Sequence, residues 1–444
     1  MYNIASFLYC TKNTGEIYSK KEYEYMEEKN KLVNVAVIGV SGRGRSLMGC
    51  IYNMKDVKIT VLCDKYEDRM ESAAAEVFET CGNRPSLIED YKEVMKREDV
   101  DCVIISTSWA DHVQIAIAAM KAGKKVGMEV GGAYSLNECW ELVKVSEDTG
   151  IDCMMLENCC YGREEMAVLN MIKKGIFGEI IHCQGGYQHD LREEVSCGLE
   201  NRHYRFINYH HRNGEIYPTH EVGPIAKYLN INRGNRLLTL TSMSSKARGL
   251  HEWIVKHKGE DHPHAKMEFM QGDITTTMIK CAHGETVLLI HDTTLPRVYS
   301  RAGRVQGTKG IWMEDKKAVH IEGVSPAEDW SNLEASWESF DMYMEKYDHP
   351  LWIKFKNQGV QGGHGGMDYL VLRAFIESVK FNTPAPIDVY DTATWMAVTC
   401  LSEESVALGS MPVAFPDFTR GKWLDREREE PSQYALSEVF EDCF

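Results

Sequence analysis

The sequence predicts a two-part α/β protein: a doubly wound parallel sheet over residues 32–160, then an α+β domain with a largely antiparallel open sheet over residues 161–444. Three observations lead there. Five near-continuous apolar runs, LVNVAVIGV (32–40), VKITVLCD (57–64), DCVIIST (101–107), KKVGMEV (124–130) and DCMMLEN (152–158), alternate with amphipathic segments, the pattern of strands covered by helices on both faces. Beyond residue 160 strand-like runs follow one another at 178–187, 236–245, 274–282, 286–294 and about 304–322, which points to antiparallel pairing. The length of 444 residues is about three typical domains of roughly 150 residues, enough for two or three compact cores.

Residues 1–31 form an N-terminal extension: polar, rich in Tyr and Lys, and without a clear period, so that Met26 would serve equally well as a start. The first residues lack a basic n-region, an apolar h-region and a small-residue cleavage site, so a cytoplasmic setting is expected. Between the fourth and fifth apolar runs, Ser135 with Glu138 three residues on predicts a capping box. Trp140, Leu142 and Val143 supply the apolar side of that helix, and Gly150 stops it. The second half opens with a helical stretch, REEMAVLNMIKKG (163–175). Two amphipathic helices near 366–380 and 391–409 precede a charged tail, Asp425 to Glu430, that reads as a solvated face. No internal repeat or low-complexity linker is present.

Composition excludes several function classes. With 43% hydrophobic and 26% charged residues and no apolar run near the roughly 18 residues that span a bilayer, the chain is neither a membrane protein nor a disordered one. A net charge of −16, from 66 acidic against 50 basic residues, repels phosphate backbones and anionic lipid, so no nucleic acid and no membrane is expected as partner. Fourteen cysteines in 444 residues is far too sparse for a disulfide-stapled scaffold and suits free thiols.

The first motif with chemistry is Gly39-Val40-Ser41-Gly42-Arg43-Gly44, between the first strand and the following helix. A Rossmann dinucleotide site needs glycine there, where the chain turns tightly and approaches a pyrophosphate resting on the helix N-terminus. Ser41 stands at the second glycine position of that pattern. Asp64 ends the second strand about 20 residues beyond Gly44, where a carboxylate accepts from ribose hydroxyls, favouring NAD over NADP. Trp109 and His112 follow the third strand, Glu129 and Val130 the fourth, and Asn158 the fifth. Ligands of open α/β sheets lie beyond strand carboxyl ends, so His112, Glu129 and Asn158 should ring the nicotinamide half of the cofactor.

The glycine-rich start, Asp64, the Trp109–His112 tetrad and Glu129 ahead of a long β-rich domain resemble the Gfo/Idh/MocA oxidoreductases from about residue 32 onward. That superfamily usually shows Glu-Lys-Pro where this chain has Glu129-Val130-Gly131, and Asp-x-x-x-His where it has Ile216 to His220. The variant pattern is similar to glycoside hydrolase family 109, the NAD-dependent α-N-acetylgalactosaminidases. It is carried by ECWELV (138–143), MLENCCYGREEMAVLN (155–170), GGYQHDLR (185–192), HRNGEIYPTHEVGPIAKYLNINRGNR (211–236), LTSMSSKA (240–247) and GGHGGMD (362–368). The resemblance implies NAD contacts at Gly42, Arg43, Asp64, Trp109, His112, Glu129, Val130 and Asn158, and sugar contacts at Tyr187, Arg205, Tyr217, His220 and Tyr299.

It also implies a chemistry. Direct glycoside hydrolysis uses two opposed carboxylates, and NAD-dependent glycosidases stand outside that arrangement. The family's route is transient oxidation at sugar C3, loss of the acidified C2 proton, elimination of the aglycone, water addition and return of hydride. His220 would take the O3 proton, since a neutral imidazole suits that task, and Tyr217 would deprotonate C2. A phenol near pKa 10 needs a neighbouring cation, from Arg205 or Arg212, or the charge of NAD⁺ for that work. The three-residue spacing sets Tyr217 and His220 on one side of a starting helix, with Pro224 tolerable only near its first turn.

Other residue groups imply less. His210-His211, and His257 with His262 and His264, lack metal-ligand grammar, so no metal is expected. Cys159 and Cys160 read as packing thiols. The turn from His364 to Asp368 either borders the pocket or merely starts a helix. The expected partner is a small-molecule glycoside, and the expected assembly a homodimer or homotetramer through the open sheet. A sugar dehydrogenase of the same fold and a non-catalytic NAD or sugar sensor remain open alternatives, because fold alone does not choose among them.

Overall fold

The computed structural model describes residues 31–198, 200–359, 362–426 and 433–436, together with the backbone of a two-stranded hairpin, β1 (Leu8–Cys10) and β2 (Ile17–Ser19). The rest of the expected N-terminal extension lies outside the described residues, as do residues 427–430 of the expected charged tail.

Six parallel strands form the first sheet: β3 (Val33–Ile38), β4 (Val57–Cys63), β5 (Ser86–Ile88), β6 (Cys102–Ile105), β7 (Lys125–Met128) and β8 (Cys153–Met155), in the order β5-β4-β3-β6-β7-β8. Every side chain of β6 is buried and so are all but one of β3, which is why these runs read as unbroken apolar stretches. β5, three residues reading Ser-Leu-Ile, carries too little pattern to stand out. Helices Gly42–Ile51, Glu67–Cys81, Trp109–Lys121 and Leu136–Thr149 connect the strands. The last of these has the expected ends: Ser135 Oγ accepts from the Glu138 N–H at 3.2 Å, Glu138 Oε2 accepts from the Ser135 N–H at 3.1 Å, and Gly150 stops the helix at φ 68°. The strand order reverses between β3 and β6, which opens a crevice at their carboxyl ends.

The second sheet has nine strands: β9 (Ile180–Gln188), β10 (Leu237–Ser244), β11 (Ile274–Cys281), β12 (Thr286–Asp292), β13 (Arg304–Gly307), β14 (Gly310–Met313), β15 (Ala318–Ile321), β16 (Glu338–Ser339) and β17 (Val413–Ala414). Their order is β16-β15-β14-β13-β9-β12-β11-β10-β17, antiparallel throughout except for the β9–β12 pair. Leu240, Ile279, Cys281, Val287 and Leu289 face the core, while the alternate positions Met243 and Met278 are exposed, so one sheet face is open.

The two C-terminal helices, Met367–Phe381 and Val389–Ala407, return to the first sheet, against helices Gly42–Ile51 and Leu136–Thr149 respectively. Contact is close: a Cβ on Gly127 would lie 3.0 Å from the Phe375 ring. The Thr392 hydroxyl accepts from the Met155 N–H at 3.2 Å and donates to the Cys153 carbonyl at 3.1 Å. The Val389–Ala407 helix thereby braces β8, an edge strand of the first sheet. Short helices at Arg192–Ser196 and Arg205–His211 escape periodicity because neither spans two turns.

Candidate active site

A cavity of about 1540 Å³ opens at the carboxyl ends of the first sheet, roofed by β9 and the start of helix Thr219–Tyr228. The glycine motif divides its labour. Gly39 has φ +91°, and a Cβ there would come within 2.6 Å of the Ser106 carbonyl oxygen. Gly44 would place a Cβ 2.0 Å from the Gly39 oxygen and does not line the cavity. These two make the tight turn from strand to helix. Gly42 lines the cavity, and a Cβ on it would meet nothing within 4 Å. Helix Gly42–Ile51 starts at Ser41 with no side-chain cap bond and no acid in its first turn, which leaves its amino end suited to an anion. Asp64 accepts from the Val40 N–H at 3.0 Å and the Tyr66 N–H at 3.1 Å, so its carboxylate is fixed at the cavity edge. These features fit the pyrophosphate and ribose of NAD.

Deeper in, Arg43 joins the two halves of the chain. Its guanidinium lies 2.9 Å from Glu129 Oε1 and makes a bidentate pair with Asp368, at 2.8 and 2.9 Å. Asp368 is fully buried and also accepts from Asn158 Nδ2 at 2.7 Å and His364 Nδ1 at 2.8 Å. Burial works against its charge, but His364 and Arg43 outweigh that and hold the carboxyl well below its usual range. The hydrogen bond to Asp368 in turn raises His364, against burial. His364 lines the cavity, so its turn borders the pocket as well as preceding a helix. His112 also lines it and is buried, accepting no charge readily: burial pushes it down to about 4. Glu129, Val130 and Asn158 complete this wall.

The opposite wall is aromatic. The Tyr187 and Tyr217 ring centroids are 4.4 Å apart, Tyr187 and Tyr299 are 6.3 Å apart, and Trp109 stands 5.5 Å from Tyr217. Trp109 does not line the cavity; it packs behind Tyr217 and Tyr204. Arg205 lies 5.0 Å from the Tyr217 ring centroid and 3.1 Å from Glu194. It is the cation over the Tyr217 ring. Arg212, the other arginine expected there, instead pairs with Glu403 at 2.6 Å and lies over Tyr134, outside the cavity lining. Burial and the neighbouring Tyr187 push the Tyr217 phenol well above its ordinary value, and Arg205 pulls the other way. Tyr217 Oη is 3.4 Å from His220 Nε2, and His220 Nδ1 is 2.8 Å from Glu157 Oε1. Helix Thr219–Tyr228 starts at Pro218, and Pro224 sits in its second turn, without an N–H for the carbonyl four residues back.

The cavity thus collects the expected residues Gly39, Gly42, Arg43, Asp64, His112, Glu129, Val130, Asn158, Tyr187, Arg205, Tyr217, His220 and Tyr299. The family model described as "Glycosyl hydrolase 109, C-terminal domain" matches residues 161–425, and "Oxidoreductase family, NAD-binding Rossmann fold" matches residues 33–156. The chain is 42% identical over 419 residues to an alpha-N-acetylgalactosaminidase of Tannerella forsythia, covering 89% of this chain and 88% of the relative. This chain belongs to glycosyl hydrolase family 109. A family 109 protein of Stenotrophomonas maltophilia is 42% identical over 424 residues, covering 90% of this chain and 92% of the relative. Among solved structures, levoglucosan dehydrogenase in complex with NADH superposes with TM-score 0.62 at 19% identity, covering 87% of this chain and all of that one. An oxidoreductase domain protein from Kribbella flavida gives 0.64 at 15% identity, with the same coverage. These two likenesses show the fold.

The family 109 chain is an enzyme with an NAD-binding Rossmann domain. Its site includes residues that the sequence did not single out. Tyr204, His189 and Arg301 line the cavity, His189 with its Nδ1 3.2 Å from Tyr187 Oη and Arg301 with its Nη1 2.5 Å from Glu165. His189 belongs to a stretch that resembles the family, yet no spacing rule distinguishes it from a loop histidine. Asp368 acts across 325 residues of chain, which no local pattern reveals. Among the described residues Glu157, Cys159 and His220 put potential metal-ligand atoms within 4.8 Å of one another; His210, His211 and the 257–264 histidines form no such group there.

Proposed function

We propose that the chain is an NAD-dependent glycosidase that cleaves N-acetylgalactosaminides by transient oxidation at C3. The observation that carries this reading is the contact of Tyr217 with His220 in a cavity whose other end fits a dinucleotide, where the described residues lining the aromatic wall include no pair of opposed carboxylates. The name of the Tannerella forsythia relative supports the sugar. NAD, when bound, supplies the acceptor and later the donor of one hydride at C3.

The chain's own residues do the rest. His220 Nε2 faces the cavity and takes the O3 proton as C3 is oxidised, since imidazole is matched to proton transfer near neutrality. The resulting carbonyl acidifies C2–H, and Tyr217 removes that proton. The C1–O bond then breaks with loss of the aglycone. Water adds across the enone at C1, the proton returns to C2, and reduction at C3 gives the sugar. Arg205, over the Tyr217 ring, favours the phenolate and counters the burial that opposes it. Tyr187 and Tyr299 form the stacking side of the sugar subsite.

In this reading residues 32–160 bind the cofactor, with Arg43, Asp64, His112, Glu129, Val130 and Asn158 around it and Trp109 supporting Tyr217 from behind, and residues 161–444 bind the substrate. Assembly as a homodimer or homotetramer uses the open face of the second sheet, where Met243 and Met278 are exposed beside half-buried Leu288 and Ile290. A reducing, cytoplasmic setting suits the free thiols, most of them buried. No helix among the described residues is long and apolar enough to cross a membrane.

Replacing Tyr217 by Phe tests the reading. The variant is expected to reduce its bound cofactor on mixing with an N-acetylgalactosaminide, without releasing aglycone or exchanging the C2 proton. Normal aglycone release by the variant would refute the role of Tyr217.

A further inference from the structure

The carboxylate behind His220 has no part in the scheme above, and its setting is unusual for a group of mere packing. Glu157 closes the loop after β8 and is 0% exposed. Its Oε1 is 2.8 Å from His220 Nδ1 and also accepts from the Cys159 N–H at 3.0 Å. A carboxylate deprived of water is expensive unless it is paired, and among these partners only the imidazole can carry a full positive charge. Burial opposes the charge on Glu157, yet His220, with help from the Cys159 N–H and Thr219, lowers it below the ordinary carboxylate value. The other titratable groups facing the imidazole are Tyr217 on the preceding loop, Tyr187 on β9 and Cys159 on the turn beside Glu157.

We infer that Glu157 is a positioning residue for proton transfer: it fixes His220 with hydrogen on Nδ1 and the free electron pair on Nε2, and stabilises the imidazolium that forms as the O3 proton arrives. Two features of the geometry lead to this. The Glu157–His220 bond comes from the far side of the ring, so Nε2 is left to the cavity and to Tyr217 Oη at 3.4 Å. With a carboxylate as its partner, Nδ1 must be the donor, which settles the tautomer. The step is balanced: the O3–H bond breaks, the Nε2–H bond forms, and the positive charge gained by the ring is met by the fixed negative charge of Glu157. The same hydrogen bond supports the return step, when the Nε2 proton goes back to O3. The device is the one that a buried aspartate provides for the histidine of serine proteases.

This inference rests on the proposed role of His220, and the experiment separates the two. Holoenzymes carrying Glu157→Gln, Glu157→Asp and His220→Gln would be mixed with an N-acetylgalactosaminide, following formation of bound reduced cofactor and aglycone release from about pH 5 to about pH 9. For Glu157→Gln, kcat and the hydride-transfer rate are expected to fall on the order of 10²-fold or more, with KM changed by less than about threefold. The acid limb of its kcat profile should move to lower pH, because the imidazolium has lost its counter-charge. Glu157→Asp keeps that charge at a longer reach, so it should retain the wild-type limb with an intermediate rate. Its behaviour decides the matter if the Gln variant fails to bind NAD. Wild-type rate and wild-type limb in Glu157→Gln, or a wild-type rate in Glu157→Asp should the Gln variant not fold, would overturn the inference while a dead His220→Gln upheld the role of His220. Unimpaired hydride transfer in His220→Gln would instead remove the reading on which it rests.

Discussion

Substituting alanine at Gly42 should leave the protein folded and remove most of its affinity for NAD, whereas the same change at Gly39 should damage the fold itself. A Cβ on Gly42 would meet nothing within 4 Å, and the backbone there has ordinary helical geometry. The unfolded chain loses freedom by the change, so stability should rise by about 0.4–1 kcal/mol. Gly42 lines the cavity at the helix amino end, and if the pyrophosphate rests there, overpacking by one methyl costs about 1–3 kcal/mol. The NAD dissociation constant should therefore rise by roughly 5- to 150-fold. At Gly39 the φ of +91° adds about 1–2 kcal/mol of backbone strain. The close approach to Ser106 and Thr107, at 2.6 to 2.8 Å, then forces the ends of β3 and β6 apart. Thermal melting of the apo forms, with calorimetric titration of NAD into each, separates the two outcomes. Unchanged NAD affinity in Gly42→Ala would refute the placement of the pyrophosphate, and an unaltered melting temperature in Gly39→Ala would refute the strain argument.

Removing the Asp368 carboxylate with Asp368→Ala leaves Arg43, Asn158 and His364 without their shared acceptor; a loss of about 3–5 kcal/mol in denaturant unfolding is expected, with faster loss of bound NAD. Glu215 is buried, and burial pushes it up to about 8, well above its ordinary 4.5. A carboxyl raised in the folded state contributes stability that is full below about 4.5 and lost as pH climbs through about 8. Glu215→Gln should therefore melt higher than wild type near pH 9 by the equivalent of a few kcal/mol, with the gap closing towards pH 5; parallel melting curves at all pH values would contradict it.

Much of the fold was legible because burial on both faces writes itself into sequence as unbroken apolar runs, as in β3 and β6, and because the Ser135–Glu138 box is a local device. β5 and the helices at Arg192–Ser196 and Arg205–His211 were not, being too short for a period to register. The site divides along the same line. Gly39, Gly42 and Asp64 announce themselves by spacing, since the strand-turn-helix that uses them is continuous in sequence. Arg205 and Arg212 look alike in a string of letters; only the fold turns one to Tyr217 and the other to Glu403. Glu157 and Asp368 act through partners 63 and 325 residues away, and a buried acid has no local mark to distinguish it from a surface one. Trp109 shows the reverse: its motif is plain, yet its ring supports Tyr217 from behind and does not line the cavity.

The central claim is that the glycosidic bond is broken by elimination from a C3-oxidised sugar, with hydride returned to the same molecule. The holoenzyme, freed of adventitious metal by a chelator, would be incubated in D₂O with p-nitrophenyl N-acetyl-α-galactosaminide, following phenolate, free NADH and the isotope content of the released sugar. Phenolate release with deuterium at C2 and no accumulating NADH is the expected result. Cleavage with C2 still fully protonated, or NADH accumulating without cleavage, would contradict it.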